Sequence, residues 1–289
     1  MRTKGIIGLL YAISAGCIWS TVGATIKIGI YLGGDILWIG AIRTLFTSIP
    51  LIVLGRFKNF FKKELIAFGL LIIAPFQITY FKAIQEVGIS VAVLLLYTSP
   101  AWVMILSKFL FNEYITRYKI VSLILAIIGV FFLSDNIGMR DNTMSALGLI
   151  SAISSGFLYA LITVYGKYLG TKGFATFDIS TGSAFWAFLI LTLYSSFISK
   201  PSLGLWLVCA IYLGLIGGAL AYYLLFKSVK LIEASKVGFI TLIEPALGVS
   251  IGVLIFNEVL TLNKILGSFL IFSSLTLIIA STIFKDKIH

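Results

Sequence analysis

Charge is what this chain has least of. Only 11% of its 289 residues are Asp, Glu, Lys or Arg, against about 25% in a soluble domain. With 60% hydrophobic residues and a mean hydropathy of +1.08, too few polar side chains remain to cover a water-exposed globule. That excludes a soluble enzyme, a disordered scaffold and a secreted disulfide module. Histidine is almost missing, since the one histidine, His289, is the final residue. Histidine metal sites and Ser-His hydrolysis fall with it. The two cysteines, Cys17 and Cys209, sit inside apolar runs and read as small packing residues. No acidic cluster suits a divalent metal. Gly166-Lys167 lacks the upstream glycine and the hydroxyl residue of a phosphate loop, so ATP does not drive the protein through this chain. Neither His-Glu-x-x-His nor Gly-x-Ser-x-Gly occurs. The expectation is a chain that is not an enzyme and needs no cofactor.

What is there is apolar length. A helix needs about 20 apolar residues to cross a bilayer. Ten runs qualify as candidates: 6–28, 36–55, 64–82, 90–111, 119–134, 145–168, 176–198, 203–227, 235–256 and 264–284. The first is too long for a secretory leader, lacks a small-residue cleavage site, and is read as retained. The net charge of +11 does not imply nucleic acid, because no basic stripe with interleaved aromatics lies on a polar segment. The basic residues instead flank spans. With the first span entering from the cytoplasm, 16 of the 22 fall on inner segments, 5 on outer ones, and Arg43 within a span. That asymmetry is the positive-inside rule. It predicts a multi-pass protein of the cell membrane with both termini cytoplasmic.

The second half repeats the first. Gly8, Ala12-Ile13-Ser14, Gly16 and Lys27 recur 140 positions later as Gly148, Ala152-Ile153-Ser154, Gly156 and Lys167. Further on the offset is 145: Phe81-Lys82 becomes Phe226-Lys227, Ser90 becomes Ser235, Pro100 becomes Pro245, and Asn112-Glu113 becomes Asn257-Glu258. Two units follow, 1–139 and 140–289. Five spans per unit is an odd number, so the second unit enters the membrane upside down. Inverted repeats let two half-structures exchange conformations around a midplane site. The fold class expected is all-α integral membrane, ten helices in two inverted five-helix repeats.

The same residues resemble the drug/metabolite transporter superfamily in its EamA-type form. The likeness rests on Gly5 to Lys27 with Trp19-Ser20, on Arg43, on Ser99-Pro100 closing at Asn112-Glu113, and on Gly148 to Lys167. It continues through Ala221 to Lys227, Glu244-Pro245 closing at Asn257-Glu258, and the last helix with Gly267. It implies ten helices around a central cavity and secondary transport of small metabolites, often amino acids or related compounds outward.

Glu244 is the sharpest single feature. Nine residues into its span, it is roughly 13 Å deep. A charge near the bilayer centre costs several kcal/mol unless it faces a cavity or a partner. Pro245 beside it frees a backbone carbonyl, which is tolerated where the helix faces protein or water. The repeat partners are Ser99 and Pro100, so both prolines are candidate helix-break hinges. Arg43 sits at a depth within roughly 7 Å of Glu244. It either pairs with the acid as a lock, grips the opposite end of a zwitterion, or snorkels to the surface. Trp19 and Tyr159 are repeat partners, as are Gln77 and Tyr222. Tyr80 shares a helical face with Gln77, and Tyr97, Trp102 and Thr241 flank the proline sites. Such side chains orient a ligand in a mainly apolar pocket. The candidate substrate-binding set is therefore Glu244, Arg43, Ser99, Gln77, Tyr80, Tyr97, Trp19, Tyr159, Tyr222 and Thr241.

Glu113 and Glu258 read as caps of the following helix or partners of loop lysines. Gly214-x-x-x-Gly218 and Gly248-x-x-x-Gly252 read as close helix contacts. The 285–289 tail reads as a basic stop after the last span. The partners expected are a small-molecule substrate and the lipid bilayer, with no nucleic acid. The rival functions are a lipid-acting membrane enzyme, for which no nucleophile–base pair is visible, and a passive channel, which favours repeated polar rings.

Overall fold

Each apolar run becomes helix in the computed structural model, which describes residues 2–134, 145–200 and 203–283; among the described residues there is no strand. The break expected at 135–143, the unit boundary at 139, Arg140 and the 285–289 tail lie outside the described residues. The helices are α1 (Arg2–Ser20), α2 (Val22–Tyr31), α3 (Ile36–Val53), α4 (Lys63–Phe68), α5 (Ala74–Leu96), α6 (Ser99–Phe111) and α7 (Arg117–Leu133). After the undescribed link come α8 (Ala146–Thr171), α9 (Thr176–Ile198), α10 (Trp206–Tyr212), α11 (Ala221–Val229), α12 (Ala234–Ile240), α13 (Ile243–Phe256) and α14 (Leu262–Ile283). Among the described residues, eight helical stretches are long and apolar enough to cross a membrane. That is fewer than the ten expected runs. The third and fourth join as one helical stretch, Lys63–Leu96, interrupted at Gly88, α6 is a shorter apolar helix, and α7 has 17 residues.

Several runs are broken inside. Ser20 and Thr21 donate their hydroxyls to the Cys17 and Ile18 carbonyls, both at 2.7 Å. Such back-bonding bends helices, and α1 ends there. Gly88 takes φ +78°, open to glycine and strained for other residues. The 90–111 run breaks at Tyr97 and Thr98, and the 235–256 run at Thr241 and Leu242. Both breaks lie just before a proline, whose missing N–H and ring exclude a normal turn. Local bonds tighten to fill the gap: Ala101 N–H donates to Thr98 at 3.0 Å, and Glu244 N–H to Thr241 at 3.0 Å.

Small residues set the packing. Between α10 and α11 the helix widens to π geometry at Leu213–Leu220. There a Cβ on Gly214 would meet Phe46 and the Arg43 carbonyl, and one on Gly218 would meet Thr47. This brings the Arg43 segment of α3 hard against the eighth run. Gly248 does not behave this way: a Cβ there would meet nothing nearer than the Ser20 carbonyl at 3.9 Å. α7 and α14 pack through Gly129 and Gly267, stitched by reciprocal Ser122–Ser274 hydroxyl-to-carbonyl bonds of 3.2 and 2.8 Å.

Candidate functional site

The helix breaks decide where the acid sits. Glu244 lies in the first turn of α13, just past the break. A helix start carries partial positive charge from its unpaired N–H groups, which favours an anion there. Tyr97 and Tyr159 line the same cavity as its carboxyl and lie within its electrostatic reach. Tyr97 stands at the matching break in the other half, and Tyr159 on α8.

These groups wall a cavity of about 580 Å³. Eight of the ten candidate residues line it: Trp19, Arg43, Gln77, Tyr80, Tyr97, Tyr159, Tyr222 and Glu244. Ser99 and Thr241 do not. Both are buried, and the Thr241 hydroxyl is spent on the Gly238 carbonyl at 3.0 Å. Beside the same breaks, the cavity is lined instead by Tyr97, two residues before Ser99, and by Glu244, three residues after Thr241. Trp102 is also elsewhere, edge-on to Phe157 at 5.4 Å.

Arg43 shares the cavity with Glu244 and lies in its electrostatic reach, yet the two make no ion pair within 4.0 Å. In this structure the arginine therefore lines the acid's cavity without locking directly to it. Gln77 is 2% exposed, and its Oε1 has no hydrogen-bond partner.

An aromatic frame holds the walls. The Trp19 indole N–H donates to the Gly217 carbonyl at 2.9 Å, an acceptor in the π-helical stretch. Its ring meets Tyr222 edge-on at 5.2 Å and Tyr159 at 6.3 Å. Phe76 stacks on Tyr159 at 5.3 Å and on Tyr80 at 6.1 Å. Sequence reasoning passed over Phe76, which carries no polar signal, although it directly precedes Gln77.

The cavity runs from this frame to an exposed pair, Lys27 and Glu258, which also line it. Lys27 Nζ lies 3.2 Å from Glu258 and 4.1 Å from the Phe256 ring centre, and Lys264 lies 3.3 Å from Glu258 on the other side. The Lys27 hydrogen bond, outweighing burial, holds the Glu258 carboxyl below the ordinary carboxylate range.

Glu113 is arranged differently. Its carboxylate accepts the Ala234 amide at 2.7 Å, the Ser235 amide at 3.1 Å, the Ser235 hydroxyl, and Lys167 Nζ at 2.7 Å. Burial alone would raise its pKa, but Lys167 and Ser235 win and hold it below the usual range. Nearby, Lys119 pairs with Glu233 at 2.6 Å and donates to the Tyr114 carbonyl at 2.8 Å. Pairing with lysines was expected of both acids. Capping of the following helix was not found, since Thr116 and Thr261 accept from the Lys119 and Lys264 amides. Glu113 instead caps α12, far away in sequence. Glu113 meets the start of the Ala234–Phe256 stretch and Glu258 follows its end, so the two clusters occupy opposite ends of it.

Comparison with known proteins agrees with this architecture. The model of the EamA-like transporter family matches twice, over residues 6–135 and 146–280. An uncharacterized transporter of Archaeoglobus fulgidus is 28% identical over 197 residues, 67% of this chain and 68% of that protein. The uncharacterized transporter YoaV of Bacillus subtilis is 24% identical over 274 residues, 91% of this chain and 93% of its own. A solved crystal structure superposes with a TM-score of 0.80 at 15% identity, covering 93% of this chain and 95% of the other. At that identity the likeness concerns the fold alone.

Proposed function

The chain belongs to the EamA-like transporter family, and from that premise we propose that it is a secondary transporter working by alternating access. It crosses the cell membrane ten times, as inverted five-helix repeats 1–139 and 140–289, with both termini cytoplasmic. Its substrate is a small polar metabolite carrying both charges, an amino acid or related compound, moved outward.

One observation carries the reading: Glu244 and Arg43 face one aromatic-walled cavity without pairing with each other. Two unlike charges held apart in a low-dielectric space are each short of a full counter-charge. A zwitterion supplies both. Tyr97 and Tyr159 share the cavity with the acid, and the ring faces of Trp19 and Tyr222 favour a cation nearby.

Packing supports the inverted repeat. α1 lies on α11, and its repeat counterpart α8 lies on α5, the counterpart of α11; α3 lies on α9 and α7 on α14. Asn112 and Asn257 both take the left-handed conformation, at φ +54° and +52°. The next amides, of Glu113 and Glu258, reach back to Ser107 and Gly252 at 3.2 Å each. With the termini inside, the cavity opens outward between Lys27 and Glu258, and the Glu113 cluster closes the cytoplasmic end.

The test is flux into liposomes holding the purified protein, with labelled zwitterionic amino acids. Saturable uptake that depends on the gradient supports the proposal. Ohmic conductance, or hydrolysis of added lipid, overturns it in favour of a channel or an enzyme.

A further inference from the structure

Glu113 and Glu258 sit in near-identical frames. Each follows a left-handed Asn. Each binds a lysine lying over the phenylalanine two residues before it: Lys167 over Phe111 at 4.9 Å, and Lys27 over Phe256 at 4.1 Å. Each has a second lysine six residues on, Lys119 and Lys264, at 4.0 and 3.3 Å. The frames differ in one respect. Glu113 also grips the start of α12 through two backbone amides and the Ser235 hydroxyl. Glu258 grips no helix and is 41% exposed, against 5% for Glu113.

The counterpart of that grip exists. At the repeat offset of 145, Glu233, Ala234 and Ser235 correspond to Gly88, Ile89 and Ser90. Gly88 leaves helical geometry (ψ 164°), so the helix starts afresh at Ile89, as α12 starts after the extended Glu233 (ψ 135°). A helix start presents N–H groups without intrahelical acceptors. Among the described residues no side chain caps this one, and glycine at 88 brings none. Ile89 and Glu258 line the same open mouth of the cavity.

We propose that Glu258 with Ile89 and Ser90, and Glu113 with Ala234 and Ser235, are two mutually exclusive latches, one per membrane face. In the state seen here the Glu113 latch is shut and the Glu258 latch is open. When the halves exchange, Glu258 accepts the Ile89 and Ser90 amides and the Ser90 hydroxyl, closing the outer mouth, while Glu113 releases α12. The lysines stay with their glutamates, so neither acid is stripped of charge compensation during the exchange. What passes between states is a set of carboxylate–amide bonds, strong enough to hold a gate and equal enough on the two faces to leave the states close in energy. The inference rests on the alternating-access reading.

Hydrogen exchange on the full chain in lipid nanodiscs tests it without a known substrate. Glu113→Gln, and independently Ser235→Ala, are expected to speed exchange at the inner latch (residues 232–240). The same changes should slow exchange at the outer mouth (84–92), by roughly tenfold for one lost charged bond. Adding Ser90→Ala to Glu113→Gln should restore fast exchange at the outer mouth. If Glu113→Gln and Ser235→Ala protect the outer mouth but Ser90→Ala and Glu258→Gln leave that protection intact, the faces alternate and the latch assignment is wrong. If no variant couples the two faces in opposite directions, the latch and the alternating-access reading both fall.

Discussion

Glu113 and Ser235 lie 122 positions apart, yet the carboxylate of one holds both the amide and the hydroxyl of the other. Two halves of the chain are thereby tied at one end of the helical bundle, while the equivalent end of the other pair of elements stands open. Under the alternating-access proposal, that asymmetry corresponds to one side of the exchange.

Removing charge from the cavity separates function from folding. Glu244→Gln keeps the shape of the side chain and removes only its charge. Transport in liposomes is expected to fall roughly tenfold or more, the cost of one charge-assisted contact, with expression and melting temperature unchanged. Wild-type flux in the variant would make the acid a packing group.

The inner cluster predicts an acid-labile component of stability. Hydrogen bonds from Lys167 and Ser235 hold the folded Glu113 below its unfolded value, near 4.3 for a free Glu. Its contribution is therefore complete above that value and lost as pH falls through the lower folded one. Melting curves of wild type and Glu113→Gln are expected to differ most at neutral pH and to converge in acid. A gap that stays constant from pH 7 to pH 3 would contradict this.

Close packing on α3 predicts a sharp response to one methyl group. A Cβ on Gly218 would collide with Thr47, whose hydroxyl is held by the Gly214 carbonyl at 2.9 Å. Gly218→Ala is expected to cost about 1–3 kcal/mol, as overpacking does. Gly5→Ala, where the nearest atom is Thr282 at 3.9 Å, should be neutral in the same thermal assay.

Trp19 joins the aromatic frame to the π-helical stretch. Trp19→Phe keeps a ring but leaves the Gly217 carbonyl without its indole donor. A loss of about 1 kcal/mol is expected in thermal or denaturant unfolding. Weaker apparent substrate affinity should accompany it, because the ring's tilt toward Tyr159 and Tyr222 is no longer fixed. An unchanged melting temperature together with unchanged affinity would remove Trp19 from the frame.

Much of this was legible from residue order. Apolar runs located the helices to within a few residues, as at Thr176–Ile198, because hydrocarbon demands continuous internal hydrogen bonding. Intramembrane charge located the cavity, because Glu244 and Arg43 are too costly to face lipid. The repeat supplied Tyr159 and Tyr222 as counterparts of Trp19 and Gln77. Phe76 was not legible, since an aromatic in an apolar run carries no mark of the face it takes. The aim of Ser99 and Thr241 was equally hidden: a proline announces a break but not which neighbours the break turns inward.

Sequence by itself determined that the chain is helical, lipid-embedded, doubled and provided with one acid at depth. These follow from composition, period and offset, each a local or additive property. Only the tertiary structure decided that Arg43 and Glu244 stand apart in one cavity, and that Glu113 is clasped while Glu258 is not. Those depend on how the two halves pack against each other, and residues far apart in the chain settle that through geometry no local pattern encodes.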